Sequence, residues 1–371
     1  MRGRAADGRK REEKAILTTP ARKCRLPGGL LLLALACGGG LACVQAQEGG
    51  PPPAESRSRD AARSPELDHV VIGTNDLPAA IGAYERLGFS VLKANAEAGE
   101  REIALLQLGS GYVQLIAPGA DSTGKPSPFP FEGALAQGWE VEDLDAMLTD
   151  LERKGIRFTA PAQGTLGADE RQEGATGGEA LLRRSFPSDQ PVSGTAVYLV
   201  DYESGFGEWV EDLARSAKAE APGLHLNGAR RLAYVTVAER NTEQTLKILA
   251  SWGLVAGPEV EDPRGGHTVK IALGQGAVYL TRPTSSGGID DFLEERRARA
   301  APVGTRYFEG SILSVGIEVY DLAETEQFFA EKAIPHIALD LPSGKTLVVQ
   351  GAPAWQLRLE FVGKSDDRGG A

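Results

Sequence analysis

Few residues in this chain are of a type that does chemistry. Its four histidines are His69, His225, His267 and His336, and its three cysteines are Cys24, Cys37 and Cys43. An imidazole can act as a general base near neutral pH, hold a metal ion, or satisfy a neighbouring hydrogen bond. His69 lies in the alternating run Leu67-Asp68-His69-Val70-Val71-Ile72, which puts it on the face opposite Val70 and Ile72. The run Tyr112-Val113-Gln114-Leu115-Ile116 sets Gln114 on one face with Tyr112. Tyr198, Tyr234 and Tyr279 stand in similar runs, where they line a pocket or simply follow the preference of strands for tyrosine. Trp139 reads as core and Glu360 as an edge charge. No Gly-x-Ser-x-Gly elbow exists for a serine hydrolase, and Pro342-Ser343-Gly344-Lys345 lacks the spacing of a phosphate loop. It reads as a turn before a strand.

The elements that carry these residues repeat. An alternating strand leads to Asp or Asn, an amphipathic helix follows, and it ends twelve residues after its cap: Asp76 to Gly88, Asp143 to Gly155, Asn241 to Gly253, Asp321 to Ala333. A carboxylate or amide at the cap accepts a backbone N–H, and glycine at the end permits the left-handed turn. Leu144, Met147, Leu148 and Leu151 form the apolar face of the second helix, and Asn241 with Gln244 makes a capping box in the third. Three strand candidates follow each helix: Phe89–Ala94, Arg101–Leu108 and Tyr112–Ala117 in the first unit, Leu254–Val260, His267–Leu273 and Ala277–Thr281 in the third. The turns match as well, Leu108-Gly109-Ser110-Gly111 with Leu273-Gly274-Gln275-Gly276. Each unit thus reads as βαβββ.

A Gly/Glu-rich loop interrupts the second unit from Gln163 to Glu179, and a charged helix near Ile289–Ala300 precedes the fourth, with Arg296-Arg297 on a solvated face. A single unit leaves an open sheet edge, so units should pair. The fold expected is α+β, with four βαβββ units in two tandem domains at 66–213 and 228–363. A connector at 214–227 and a disordered tail at 364–371 complete the body. Four units in one chain can pair among themselves.

The amino terminus reads as an address. Residues 1–26 hold nine basic and three acidic groups, ahead of the apolar run Leu30–Ala36. That is a secretory-signal pattern, too short to span a bilayer. Two endings are open: cleavage after Val44-Gln45-Ala46, or a bacterial lipobox at Leu33-Ala34-Leu35-Ala36-Cys37 that leaves Cys37 lipidated. In the usual lipobox Leu stands three before the cysteine, where this chain has Ala34. Residues 1–46 are therefore expected as signal and 47–65 as a flexible linker, with the protein periplasmic, lipid-anchored or secreted. Cleavage at Ala46 removes every cysteine, and with them disulfides, zinc–thiolate sites and a cysteine nucleophile. The chain's net charge of −11 becomes −17 over residues 47–371, which argues against nucleic-acid partners. The only membrane contact expected is the lipid anchor.

The runs at Leu67–Ile72, Asp76-Leu77, Tyr84-Glu85, Leu87-Gly88-Phe89 and Gly111–Pro118 resemble the opening of a glyoxalase-like domain of the vicinal oxygen chelate superfamily. Ser185-Phe186-Pro187, Val197–Tyr202 and His225–Ala229 resemble later parts of such sequences. The resemblance covers about residues 66–363. It is carried by residue types in units one and two and by pattern in units three and four, and fold alone does not settle function in such a superfamily. It implies that paired units build a cup whose first and last strands supply His, Gln or Glu ligands to one divalent ion. Seven residues before each cap stand His69, Ala136, Tyr234 and Ser314; the last-strand positions are Gln114, Tyr198, Tyr279 and either Arg358 or Glu360.

Three readings follow. In the first, an exported glyoxalase-like protein binds a small organic molecule through His69, Tyr112, Gln114 and Tyr198, without an intact metal site. In the second, His69 and Gln114 hold a divalent ion in a lyase, isomerase or dioxygenase. In the third, both cups are leucine-filled and structural, and the protein is an interaction module. A Glu, Asp or His within reach of both His69 and Gln114 separates the second from the rest.

Overall fold

A computed structural model describes residues 64–96, 101–119, 129, 132–168, 179–188, 196–202, 225–284, 287–300, 310–351 and 357–364. The expected signal, Cys37, all but the last two residues of the linker, most of the connector and nearly all of the tail lie outside these residues.

All four repeat helices form where the caps predict: α1 (Leu77–Arg86), α2 (Leu144–Arg153), α3 (Thr242–Ser251) and, after an inserted α4 (Gly288–Ala300), α5 (Leu322–Glu331). The side chains of Asp76, Asp143, Asn241 and Asp321 each accept a backbone N–H from the first turn. Gly88, Gly155 and Gly253 take φ of 89°, 80° and 90°, and Ala333, at 52°, is the non-glycine with positive φ among the described residues. The fourth unit keeps the geometry without the residue that favours it.

Domain 1 is a closed barrel of β1 (Glu66–Gly73), β2 (Leu92–Ala96), β3 (Arg101–Gln107), β4 (Tyr112–Ile116), β5 (Gly133–Glu140), β6 (Ala162–Ala168), β7 (Glu179–Ser185) and β8 (Ala196–Tyr202), in the order β1-β4-β3-β2-β6-β7-β8-β5. The expected loop from Gln163 is therefore strand as far as Ala168. Antiparallel β1–β5 pairing joins the two units, and β2–β6 pairing closes the ring.

Domain 2 uses β9 (Ala229–Glu239), β10 (Ala256–Asp262), β11 (Gly266–Leu273), β12 (Gly276–Pro283), β13 (Gly310–Val319), β14 (Ile337–Leu341), β15 (Gly344–Val349) and β16 (Leu359–Gly363). Their order is β10-β11-β12-β9-β13-β16-β15-β14, an open sheet whose edges β10 and β14 stay apart. Pro258 lies at a register shift in β10, and its missing N–H suits an edge strand.

The largest apolar core unites both domains. Val70, Ile72, Tyr84 and Leu151 belong to it with Val235, Leu249, Ile317 and Phe361. Trp139, buried as expected, meets Trp252 edge-on at 5.8 Å across the domains. The matching glycine turns serve this junction reciprocally. Gly109 N–H donates to Arg230 O at 2.5 Å, and a Cβ on Gly276 would stand 2.8 Å from the Leu67 Cβ. Arg296 corrects the reading of a solvated face. It is buried, and its Nη1 donates to the Glu132 carbonyl at 3.1 Å, because α4 lies against domain 1 there.

Candidate active site

A bulge repeated in all four first strands builds both cups. In β1 the register slips between Leu67 and His69; Leu67 and Val70 join the outer core, while the side chains of Asp68 and His69 meet inside. An extra residue in one strand defeats simple alternation and re-aims a side chain. The same slip recurs at Leu135/Ala136, Ala233/Tyr234 and Leu313/Ser314, eight and seven residues before each cap.

Inside the domain 1 barrel, His69 is 2% exposed and stacks on Tyr112, with ring centroids 4.5 Å apart and planes 11° from parallel. Its Nδ1 lies 2.5 Å from Asp68 Oδ2, and its Nε2 is hydrogen-bonded to the Tyr198 hydroxyl. Asp68 Oδ2 also accepts from the Tyr202 hydroxyl at 2.5 Å, and Tyr202 meets the Tyr112 hydroxyl at 2.9 Å. With Nδ1 donating to a carboxylate oxygen, a neutral ring leaves Nε2 as acceptor for the Tyr198 O–H. Five side chains thus form one connected network. Gly138 stands opposite His69 on β5, where a Cβ would come within 2.7 Å of Nδ1. Burial raises the phenols of Tyr112, Tyr198 and Tyr202 above the usual range; Asp68 adds to this, and Arg184 opposes it at Tyr112 and Tyr198. They are neutral hydrogen-bonding groups at ordinary pH. Around the network stand Leu92, Ile103, Leu105, Leu182 and Val200, with Phe129 and Phe186 against them.

Of the residues expected at the site, His69, Tyr112 and Tyr198 come together. Gln114 pairs with Val71, one inward position further along, and is half-buried. Tested as a metal shell, the set does not fit. Ala136 offers no donor, the His69 lone pair faces a phenol, and the Tyr198 phenol is held protonated by burial. Among the described residues no three of His, Cys, Asp and Glu gather as a metal group.

Domain 2 places Tyr234 where domain 1 has His69, again opposite a glycine, Gly316. Register resolves the last position in favour of Glu360, which pairs with Gly316. Glu360 is fully buried, not an edge charge: Oε2 accepts from Tyr234 at 2.9 Å and Oε1 from Arg264 at 2.7 Å. Arg264 also grips Asp262 through Nε at 2.7 Å and Nη2 at 2.5 Å. Burial alone would raise Asp262, yet Arg264 brings it below the usual carboxylate range. Buried acids need such a partner, so this cup is polar where leucines were one expectation.

The remaining histidines lie outside both networks. His225 Nδ1 accepts from Ser90 N–H and Nε2 donates to Gln107 O, both at 2.9 Å, fastening the connector to domain 1. His267 lies on β11, and His336 Nδ1 bonds the Ile334 carbonyl at 2.9 Å. Sequence reasoning missed Asp68, Tyr202, Asp262 and Arg264. Strict alternation points Asp68 outward, and nothing local marks the other three.

A family model described as a glyoxalase-like domain matches residues 67–253. No protein of curated function matches the chain. Among solved structures, a mutant of 4-hydroxymandelate synthase from Streptomyces coelicolor is 13% identical, covering 83% of this chain and 95% of that one at a TM-score of 0.56. A hypothetical protein from Staphylococcus aureus is 9% identical over 81% of this chain and 99% of its own, with a TM-score of 0.49. A catechol 2,3-dioxygenase is 14% identical over 81% and 89%, with a TM-score of 0.46. Of these, the synthase superposition bears on the fold, and on the fold alone.

Proposed function

Because the chain belongs to the glyoxalase-like domain family, we propose that it uses this fold as an exported binding protein for a small, partly apolar organic molecule, held in the domain 1 barrel without a metal ion. The observation that carries this reading is the double commitment of His69, to Asp68 through one nitrogen and to Tyr198 through the other. An imidazole so engaged, beside three phenols kept neutral by burial, presents hydrogen-bonding groups within an apolar wall. That combination suits a ligand with one carbonyl or hydroxyl group on a hydrocarbon or aromatic body. Export to the cell envelope, with cleavage after Ala46 or lipidation at Cys37, completes the proposal.

The test is to denature the purified full chain and analyse what it releases, small molecules by mass spectrometry and metals by elemental analysis. Tyr198→Phe and His69→Gln variants run beside it. A stoichiometric organic molecule from the parent, depleted in both variants, is the expected result. One equivalent of metal in the parent, lost with His69→Gln, would replace the proposal with the metal-dependent lyase, isomerase or dioxygenase. Release of neither would leave a structural module.

A further inference from the structure

The floor of the domain 2 cup carries polar atoms that its own network does not use. Tyr279, Thr236 and Ser314 stand level on the adjacent strands β12, β9 and β13, and Arg358 continues the row just ahead of β16. Tyr279 pairs with Thr236, Thr236 with Ser314, and Val315 N–H bonds the Arg358 carbonyl at 3.0 Å. Thr236 and Ser314 are 1% and 0% exposed, and neither hydroxyl has a hydrogen-bond partner among the described residues. Arg358 Nε is also buried without an aligned acceptor, although it lies 3.0 Å from Glu360 Oε1 as an ion pair. A buried polar atom left unmatched gives up its bonds to water and gains none in return, so three in one row call for an occupant.

We propose that this row is a second binding site, in which Thr236, Ser314 and Arg358 take the carboxylate of a small organic acid. Two hydroxyl donors and a guanidinium N–H suit the two oxygens of a carboxylate, and hydrogen bonds to a charged group are the stronger kind. The charges already present balance: Asp262 and Glu360 are met by Arg264 and Arg358. An anion meets no net negative field, and it finds the Arg358 guanidinium, whose Nε–H is aligned on no acceptor among the described residues. The Arg358 side chain is 17% exposed, whereas that of Arg264 is 7%. The Tyr279 ring, edge-on to Tyr234 at 4.9 Å, provides an apolar surface for the acid's carbon skeleton. This site is separate from the domain 1 barrel and does not depend on what binds there.

The test is calorimetric titration of the full chain with sodium acetate and sodium benzoate at constant ionic strength, with sodium chloride and sodium phosphate as comparison anions. Parent, Thr236→Val/Ser314→Ala and Arg358→Gln are measured in parallel. The double variant removes two unmatched hydroxyls at almost unchanged shape, so it should fold with an unfolding midpoint at or above that of the parent. Saturable carboxylate binding in the parent, weakened at least about tenfold in the double variant and in Arg358→Gln, is the expected result. Heats no larger than those of chloride would mean that ordered water satisfies the row, and would overturn the proposal. So would tighter binding of phosphate than of either carboxylate, or carboxylate binding unchanged in the double variant.

Discussion

Replacing Gly138 by alanine places a methyl group where the His69 ring lies. An ideal Cβ there would stand 2.7 Å from Nδ1 and 2.8 Å from Nε2, well inside van der Waals contact. The ring cannot retreat, since Tyr112 stacks on it at 4.5 Å and Asp68 holds its Nδ1. Overpacking a core costs about 1–3 kcal/mol, and a displaced hydrogen bond to a charged group about 1.5–3 kcal/mol more. The sum, about 2.5–6 kcal/mol, is a large part of the 5–15 kcal/mol typical of a folded domain. It corresponds to a fall in unfolding midpoint of about 5–15 °C, read by circular dichroism or calorimetry. The decisive comparison is a double-mutant cycle. With His69→Ala in place the obstacle is gone, and Gly138→Ala should then cost less than about 1 kcal/mol, a coupling of at least about 1.5 kcal/mol. A Gly138→Ala protein within about 0.5 kcal/mol of the parent would mean that the His69 network is not closed on that side.

Three further outcomes are expected. Ala333→Gly should stabilise the fourth unit by about 0.5–1 kcal/mol in urea unfolding, because the residue sits at φ 52° where a Cβ is disfavoured; a loss of stability would contradict this. Arg264→Gln leaves Asp262 buried without its cation and Glu360 with Arg358 alone, and should cost about 3–5 kcal/mol; a loss under about 1 kcal/mol would mean that solvent reaches Asp262. Burial holds His225 below the usual histidine range, although its bond to the Gln107 carbonyl pulls the other way. The unfolded chain therefore takes up the proton first. Stability is full above about pH 6.5 and falls as pH drops toward the folded value, and in His225→Gln this slope should flatten.

The repeat shows how far local signals reach. Asp76, Asp143, Asn241 and Asp321 cap their helices through bonds two or three residues away, so spacing alone located them. Trp139 was legible as core because it stands at the apolar position four before the cap Asp143. The readings that failed, at Arg296 and Glu360, concern charged side chains whose partners are remote in the chain. Arg296 reaches Glu132 and Glu360 meets Arg264, and nothing near either residue announces the pairing.

The four units, their helices and turns, and the equivalent positions of His69 and Tyr234 are written locally in the chain, because caps and alternation act within a few residues. What those positions do depends on contacts that exist only in the folded sheets. A bulge, invisible to a period of two, turned Asp68 inward beside His69. Barrel closure brought Tyr198, 129 residues away, onto the same imidazole. In domain 2, Arg264 and Glu360 meet across 96 residues, and three polar atoms in the cup floor share one level. Contacts of that range depend on strand register across a sheet, and a side chain pairs with whatever the register sets opposite it.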